Sequence, residues 1–264
     1  MVDNMHRRNL PIVSPHKLKE MKTKIAFFIG LMMISGILTA QDNEQTTIPL
    51  IGSYAPAFTA ETTNGTLSFP DDFGRKWKIL FSHPQDFTPV CTTELLELAR
   101  LQERMDALGI KVAVISTDTK ERHLMWQNSM EVVLGLEKQP IKIAFPLIDD
   151  SHFKVSNLYG MLHRPTSTTK DVRGVFVINP DNKVEATFFY PNTIGRNMEE
   201  IVRTVEALQT AHTTKLLTPV NWERGGDLLV PQYPYTQKEL ANNPEIANDY
   251  YQVGNMLWYK KGAH

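Results

Sequence analysis

The sequence predicts an α/β fold, a central mixed sheet flanked by helices, with a small C-terminal domain after it. Three observations carry this expectation. Short β-branched runs alternate with segments of helical periodicity in the order strand, helix, strand, helix, insertion, strand, strand, helix. The last two strands are joined by Asn179-Pro180-Asp181-Asn182, a strong hairpin-turn signal. With 264 residues the chain is long enough for one substantial core plus a smaller appendage. A hydrophobic content of 42% beside 22% charged residues excludes a chain disordered throughout. The 28 basic and 29 acidic residues nearly cancel, so no nucleic-acid partner is expected.

Taken in order, residues 1–20 form a polar, unpatterned leader, and Met21 is expected to be the natural start. Residues 21–40 read as a signal peptide: Lys22 and Lys24 precede an apolar run from 25 to 38, and Ala40 ends it. That run is short of the ~20 apolar residues of a membrane span. Leu38 stands where a small residue is preferred, which leaves the cut point open. The expectation is an exported protein, periplasmic or extracellular, the alternative being a membrane anchor formed by the uncleaved segment. After a polar linker, the main domain is expected over residues 48–212. Residues 78–82 read as a buried strand. Thr88 is placed to cap a helix that starts at Pro89, runs through Leu95, Leu98, Leu101, Met105 and Leu108, and stops at Gly109. Residues 111–116 are a β-branched strand, and 120–134 a helix offering Leu124, Met125 and Val132 to the core. A less regular stretch over 135–172 holds a short helix ending at Tyr159-Gly160. Strands over 174–178 and 184–190 and a helix over 197–211 complete the domain. A β-α-β half followed by a β-β-α half resembles the thioredoxin fold. Residues 213–264, with Pro219, Pro231, Pro234, Pro244 and several tyrosines, are expected to form a C-terminal domain and tail.

Cys91 is the chain's one cysteine, so an internal disulfide and a multi-thiolate zinc site are both excluded. It falls in the first turn of the helix that starts at Pro89, where unpaired N–H groups and the helix dipole favour an anion. That position favours the reactive thiolate. Thr88, three residues earlier, can turn its hydroxyl toward the sulfur or a substrate. A thioredoxin-type disulfide-exchange enzyme would carry a second cysteine at position 94, but Glu94 stands there, which argues for chemistry passing through a sulfenic acid.

The stretch from His83 to Glu94, HPQDFTPVCTTE, contains P-x-x-x-T-x-x-C, the peroxiredoxin active-site motif, and its fuller form resembles the one-cysteine peroxiredoxin-6 subgroup. Similar segments are FPLIDD at 145–150, RGVFVI at 173–178, YPNTIGRN at 190–197 and TPVNW at 218–222. The resemblance covers residue 48 to the mid-230s. It implies a thiol peroxidase that reduces H2O2 and organic hydroperoxides through a Cys91 sulfenic acid, with an external thiol or other reductant. It further implies that Thr88 holds the peroxide and that Arg173 stabilises the thiolate and polarises the O–O bond, as a fixed positive charge does. Pro84 would shield the sulfur, His83 would stand beside the pocket, and Glu94 and Arg196 would orient the arginine. A homodimer or higher homo-oligomer is expected, with the 184–190 strand a candidate edge. No cofactor is implied. No metal site is expected either, since His123, His152, His163 and His212 show no ligand spacing.

The pattern departs from its relatives at one place. Some members of the subgroup hydrolyse lipids at a G-x-S-x-G-like serine before the first core strand. Here the segment is Gly74-Arg75-Lys76-Trp77-Lys78, with Lys76 in place of the serine and Pro70 in place of its histidine. Without nucleophile or base, no lipid hydrolysis is expected there.

Overall fold

The computed structural model describes residues 47–232 and 235–262, one compact unit; the leader and signal segment lie outside the described residues. Seven strands form the main sheet: β1 (Phe58–Thr62), β2 (Gly65–Phe69), β3 (Trp77–Ser82), β4 (Ile110–Ser116), β5 (Leu147–Asp149), β6 (Arg173–Ile178) and β7 (Val184–Tyr190). Their spatial order is β2-β1-β5-β4-β3-β6-β7. The β3, β4 and β5 strands run parallel, while β6 joins β3 antiparallel, with Phe81 opposite both Val114 and Val175. The sheet is therefore mixed. Helices α1 (Pro89–Ala107), α2 (Lys120–Leu134), α3 (Lys154–Leu158) and α4 (Met198–Thr214) connect or follow these strands.

Alternation along the central strands divides the core in two. Ile79, Phe81, Val112, Val114, Val175 and Val177 face Leu95 and Leu98 of α1, Trp126 and Met130 of α2, and Val202 and Val205 of α4. Leu80, Ala113, Ile115, Phe176 and Ile178 point to the other face, against Phe69, Tyr159 and Met161. Both faces of β3 and β6 are covered, so these strands are buried at every position. That burial holds the C-terminal end of β3 and the start of β6 rigidly side by side, beneath the start of α1.

The C-terminal region forms a three-stranded sheet, β8 (Leu228–Leu229), β10 (Leu257–Lys260) and β9 (Tyr250–Val253), with short helices α5 (Gln237–Asn242) and α6 (Ile246–Asp249). Trp222 and Leu228 bury against Ala207 of α4, and Arg203 of α4 donates to the Trp222 carbonyl at 2.8 Å. Among the described residues no helix is long and apolar enough to cross a membrane.

Three expectations need correction. The buried face of α2 is His123, Trp126, Met130 and Leu134. Leu124, Met125 and Val132 are instead 37%, 65% and 71% exposed. The 3–4 spacing of the true stripe runs through a histidine and a tryptophan, which a pattern of aliphatic residues does not include. The β1–β2 hairpin was not expected, although Asn64-Gly65 at its turn is a strong hairpin signal. Thr88 occupies the N-cap position with extended backbone, but its side chain makes no cap bond; the hydroxyl donates to Gln85 O at 2.9 Å instead.

Candidate active site

The loop 83–88 leaves β3 at Ser82 and delivers Pro89, the first residue of α1. Phe87 sits in the left-handed region, at φ 58, a conformation that costs a bulky residue about 1 kcal/mol or more. The Arg122 guanidinium lies over its ring at 5.2 Å and Trp126 packs at 6.3 Å. Cys91 follows in the first turn of α1, and its sulfur is fully buried.

Arg173 opens β6 directly beside it. Its Nη1 donates to Cys91 Sγ at 3.3 Å and to Glu94 Oε2 at 2.6 Å, while Nη2 donates to Asn192 O at 2.8 Å. Glu94, one helical turn beyond Cys91, is itself buried and takes bonds from a second arginine. The Arg196 backbone N and Nε reach Glu94 Oε1 at 2.8 and 2.9 Å, and Nη2 reaches Oε2 at 2.7 Å. Arg196 Nη1 donates to the Ser82 and Gly174 carbonyls, both at 2.8 Å, tying the ends of β3 and β6 together. Its guanidinium lies over the Phe81 ring at 3.4 Å. Burial pushes the Arg196 guanidinium below its ordinary value, and the bond to Glu94 pulls it back up. The result is a guanidinium held within hydrogen-bond reach of the buried cysteine sulfur.

Of the residues singled out by sequence, Cys91, Arg173, Glu94 and Arg196 meet in this one cluster. Pro84 is buried in the loop, and Thr88 lies at its end, half-buried. His83 is fully buried and packs on Trp126 with ring centroids 5.1 Å apart. Burial, then the charges of His123, Arg196 and Arg173, push His83 well below its ordinary value. Lys76 is exposed, and Pro70 precedes the 3-10 turn at Asp71–Phe73.

Sequence reading missed Asp86 and the part played by His123. His83, Asp86 and His123 bring possible metal-ligating atoms within 4.8 Å of one another, all buried. His123 Nδ1 lies 2.8 Å from Asp86 Oδ2 and its Nε2 3.0 Å from Ile148 O. His83 Nε2 is 3.6 Å from Asp86 Oδ1. No local spacing announces this cluster, because 37 residues separate Asp86 from His123; the helical stripe of α2 was the available signal.

The AhpC/TSA family model matches residues 51–187. A peroxiredoxin of Methanosarcina mazei is 44% identical over 185 residues, covering 70% of this chain and 84% of its own. Peroxiredoxin-6 of Mus musculus is 40% identical over 185 residues, covering 69% and 82%. Among solved structures, the yeast mitochondrial 1-Cys peroxiredoxin superposes with a TM-score of 0.67 at 33% identity, covering 81% of this chain and 100% of its own. A cysteine-to-serine mutant of peroxiredoxin 6 from Arenicola marina gives 0.69 at 30% identity, covering 81% and 98%.

Proposed function

The chain belongs to the AhpC/TSA family as a one-cysteine peroxiredoxin, a thiol peroxidase, and from that premise we propose how its residues divide the work. Cys91 thiolate attacks the terminal oxygen of H2O2 or an organic hydroperoxide. The S–O bond forms as the O–O bond breaks, and the departing oxygen takes up a proton to leave as water or an alcohol. Arg173 stabilises the thiolate and offsets the charge that gathers on the leaving oxygen. Thr88 holds the peroxide through its hydroxyl, Pro84 and His83 keep water from the sulfur, and Glu94 with Arg196 aims Arg173. The observation that carries this reading is the 3.3 Å contact between Arg173 Nη1 and Cys91 Sγ.

With one cysteine in the chain, the sulfenic acid is reduced by two equivalents of an external thiol, the first forming a mixed disulfide and the second releasing it. Excess peroxide carries it on to sulfinic acid. Single-turnover oxidation followed by tryptophan fluorescence and intact mass tests the reading. Fast gain of one oxygen at Cys91 is expected, with no gain in Cys91→Ser and a rate about a hundredfold lower in Arg173→Ala. Oxidation of the wild type at the rate of a free thiol would reject it.

Two further expectations belong to the same reading. A homodimer would pair β7, the end strand of the main sheet, with its copy, supported by the half-exposed aromatic run Phe188-Phe189-Tyr190; sedimentation velocity showing a monomer at micromolar concentration would reject it. Export through residues 21–40 would leave a mature chain lacking them, which N-terminal sequencing of the protein from its native source decides. Lys76 and Pro70 support the absence of lipid hydrolysis; hydrolysis abolished by Lys76→Ala would contradict that.

A further inference from the structure

We propose that Asp86 and His123 form a latch that holds the Cys91 loop closed, a positioning pair that sets how often the buried sulfur is opened to an external reductant. The inference deepens the reading of Cys91 as the peroxidatic cysteine and rests on it.

The proton inventory of the pair follows from geometry. His123 Nε2 faces Ile148 O at 3.0 Å, and a carbonyl only accepts, so Nε2 carries a hydrogen. Nδ1 faces Asp86 Oδ2 at 2.8 Å. A neutral ring already protonated at Nε2 would set a lone pair against an ionised carboxylate at that distance. One proton therefore sits between them, as imidazolium with carboxylate or as imidazole with carboxylic acid. Burial pushes the Asp86 carboxyl upward while the bond to His123 pulls it down. Both side chains are fully buried, where such a bond is strongest.

The pair also joins the right parts. Asp86 lies midway along the loop that carries Pro84 and Thr88, His123 lies on α2, and the Ile148 carbonyl lies on β5. Among residues 84–88, Asp86 is the one whose side chain is both polar and buried. The loop has other holds: His83 at its start is buried against Trp126 and its N donates to Ile115 O at 3.0 Å, Lys170 bonds Gln85, Arg122 covers Phe87 and donates to Asp86 O at 3.5 Å, and Asp86 N donates to Asp118 Oδ2 at 2.8 Å. Past His83, the Asp86–His123 bond is the hold made by two fully buried side chains. Phe87, strained in the left-handed region, stays there only while the loop is held on both sides.

The need for a latch comes from the position of the sulfur. Cys91 has no exposed surface and the chain has no second cysteine. An attacking thiol has to reach Sγ in line with the bond it breaks, which requires loop 83–88 and the first turn of α1 to swing out. Moving the loop away from α2 breaks the Asp86–His123 bond. The free energy of that bond is therefore part of the cost of every opening.

The test compares wild type, Asp86→Ala, His123→Leu and Asp86→Asn. Two rates are measured under native conditions: alkylation of reduced Cys91 by N-ethylmaleimide, and dithiothreitol reduction of the sulfenic acid made with one equivalent of H2O2, both read by intact mass. Asp86→Ala and His123→Leu break the latch from opposite sides, so misfolding of one leaves the other to decide. Both rates are expected to rise about tenfold or more in these variants. Asp86→Asn is expected to stay within about threefold of wild type, because its amide N–H can donate to Nδ1 of a neutral His123 that still donates to Ile148 O. Unchanged rates in Asp86→Ala and His123→Leu would overturn the latch. So would equal acceleration in Asp86→Asn and Asp86→Ala. A wild type that alkylates as expected across the series but forms no sulfenic acid would leave the latch standing and reject the peroxidatic role of Cys91.

Discussion

At the scale of single residues, Glu94 holds the site together. Its two oxygens accept one bond from Arg173 and three from Arg196, all without help from solvent. Glu94→Gln keeps the shape but removes the one negative charge that both guanidinium groups share, and it turns an amide N–H toward one of them. Removing one partner of a buried ion pair costs about 3–5 kcal/mol. Urea denaturation is expected to show a loss of that order, and stopped-flow oxidation a rate lowered about a hundredfold as Arg173 swings off the sulfur. A variant of normal stability and rate would mean that Asn192 alone is enough to aim Arg173. The residues of this cluster were legible in sequence because they sit in recognisable runs of letters, at 83–94, 173–178 and 190–197. What each one touches was not: nothing in the order of residues says that Glu94 serves two arginines, or that Thr88 spends its hydroxyl on Gln85 O rather than on the helix end.

At the scale of elements, the site depends on how closely β6 approaches β3. Ser82 Oγ accepts from Gly174 N at 2.8 Å and donates to Val172 O at 2.7 Å, so the end of β3 clamps the start of β6 on either side of Arg173. A Cβ at Gly174 would lie 2.9 Å from Ser82 Oγ and 3.3 Å from Phe189 Cε1. Gly174→Ala is therefore expected to lose about 1–3 kcal/mol by overpacking and to slow oxidation of Cys91 by shifting Arg173. A denaturation midpoint and a stopped-flow rate both equal to wild type would show that Ser82 can move aside freely. The strands and helices around the site were readable because β3, β4 and β6 are buried apolar runs and α1 opens with proline. The β1–β2 hairpin was harder to see because each of its strands, Phe58–Thr62 and Gly65–Phe69, is only five residues long. The face of α2 was misread for the opposite reason, since its stripe includes a buried histidine that no hydrophobic pattern selects.

For the whole molecule, two of the buried titratable groups pull stability in opposite directions with pH. Burial holds His83 well below its ordinary value of 6.5. The unfolded chain therefore binds a proton that the folded chain refuses, and stability falls as pH drops below that value. Asp171 works in the opposite direction. Its carboxyl is fully buried, and burial, against a weaker pull from the Ser156 side chain, pushes it well above its ordinary 3.8. Its contribution is present below that value and is lost as pH rises through the raised one. Asp171→Asn, which cannot ionise, is expected to gain stability over wild type, little near pH ~4 and about 1–3 kcal/mol near pH ~8. Chemical denaturation across that range checks the sign; a gain that shrinks with rising pH would refute it.

The shared carboxylate carries one more consequence, for the protein's fate after damage. Arg173, Arg196 and Glu94 together leave one positive charge in the interior, and under the mechanism proposed above a Cys91 thiolate would cancel it. A sulfinate carries the same single negative charge, so by charge alone it balances the arginines as the thiolate would. A serine hydroxyl at position 91 does not cancel it. Wild type inactivated by excess peroxide should then melt at least as high as the reduced enzyme, with Cys91→Ser below both, as differential scanning fluorimetry would show. A sulfinate form melting below Cys91→Ser would contradict this. If the order holds, the spent enzyme is a durable one: its folded state gives a protease no early sign that the sulfur can no longer turn over.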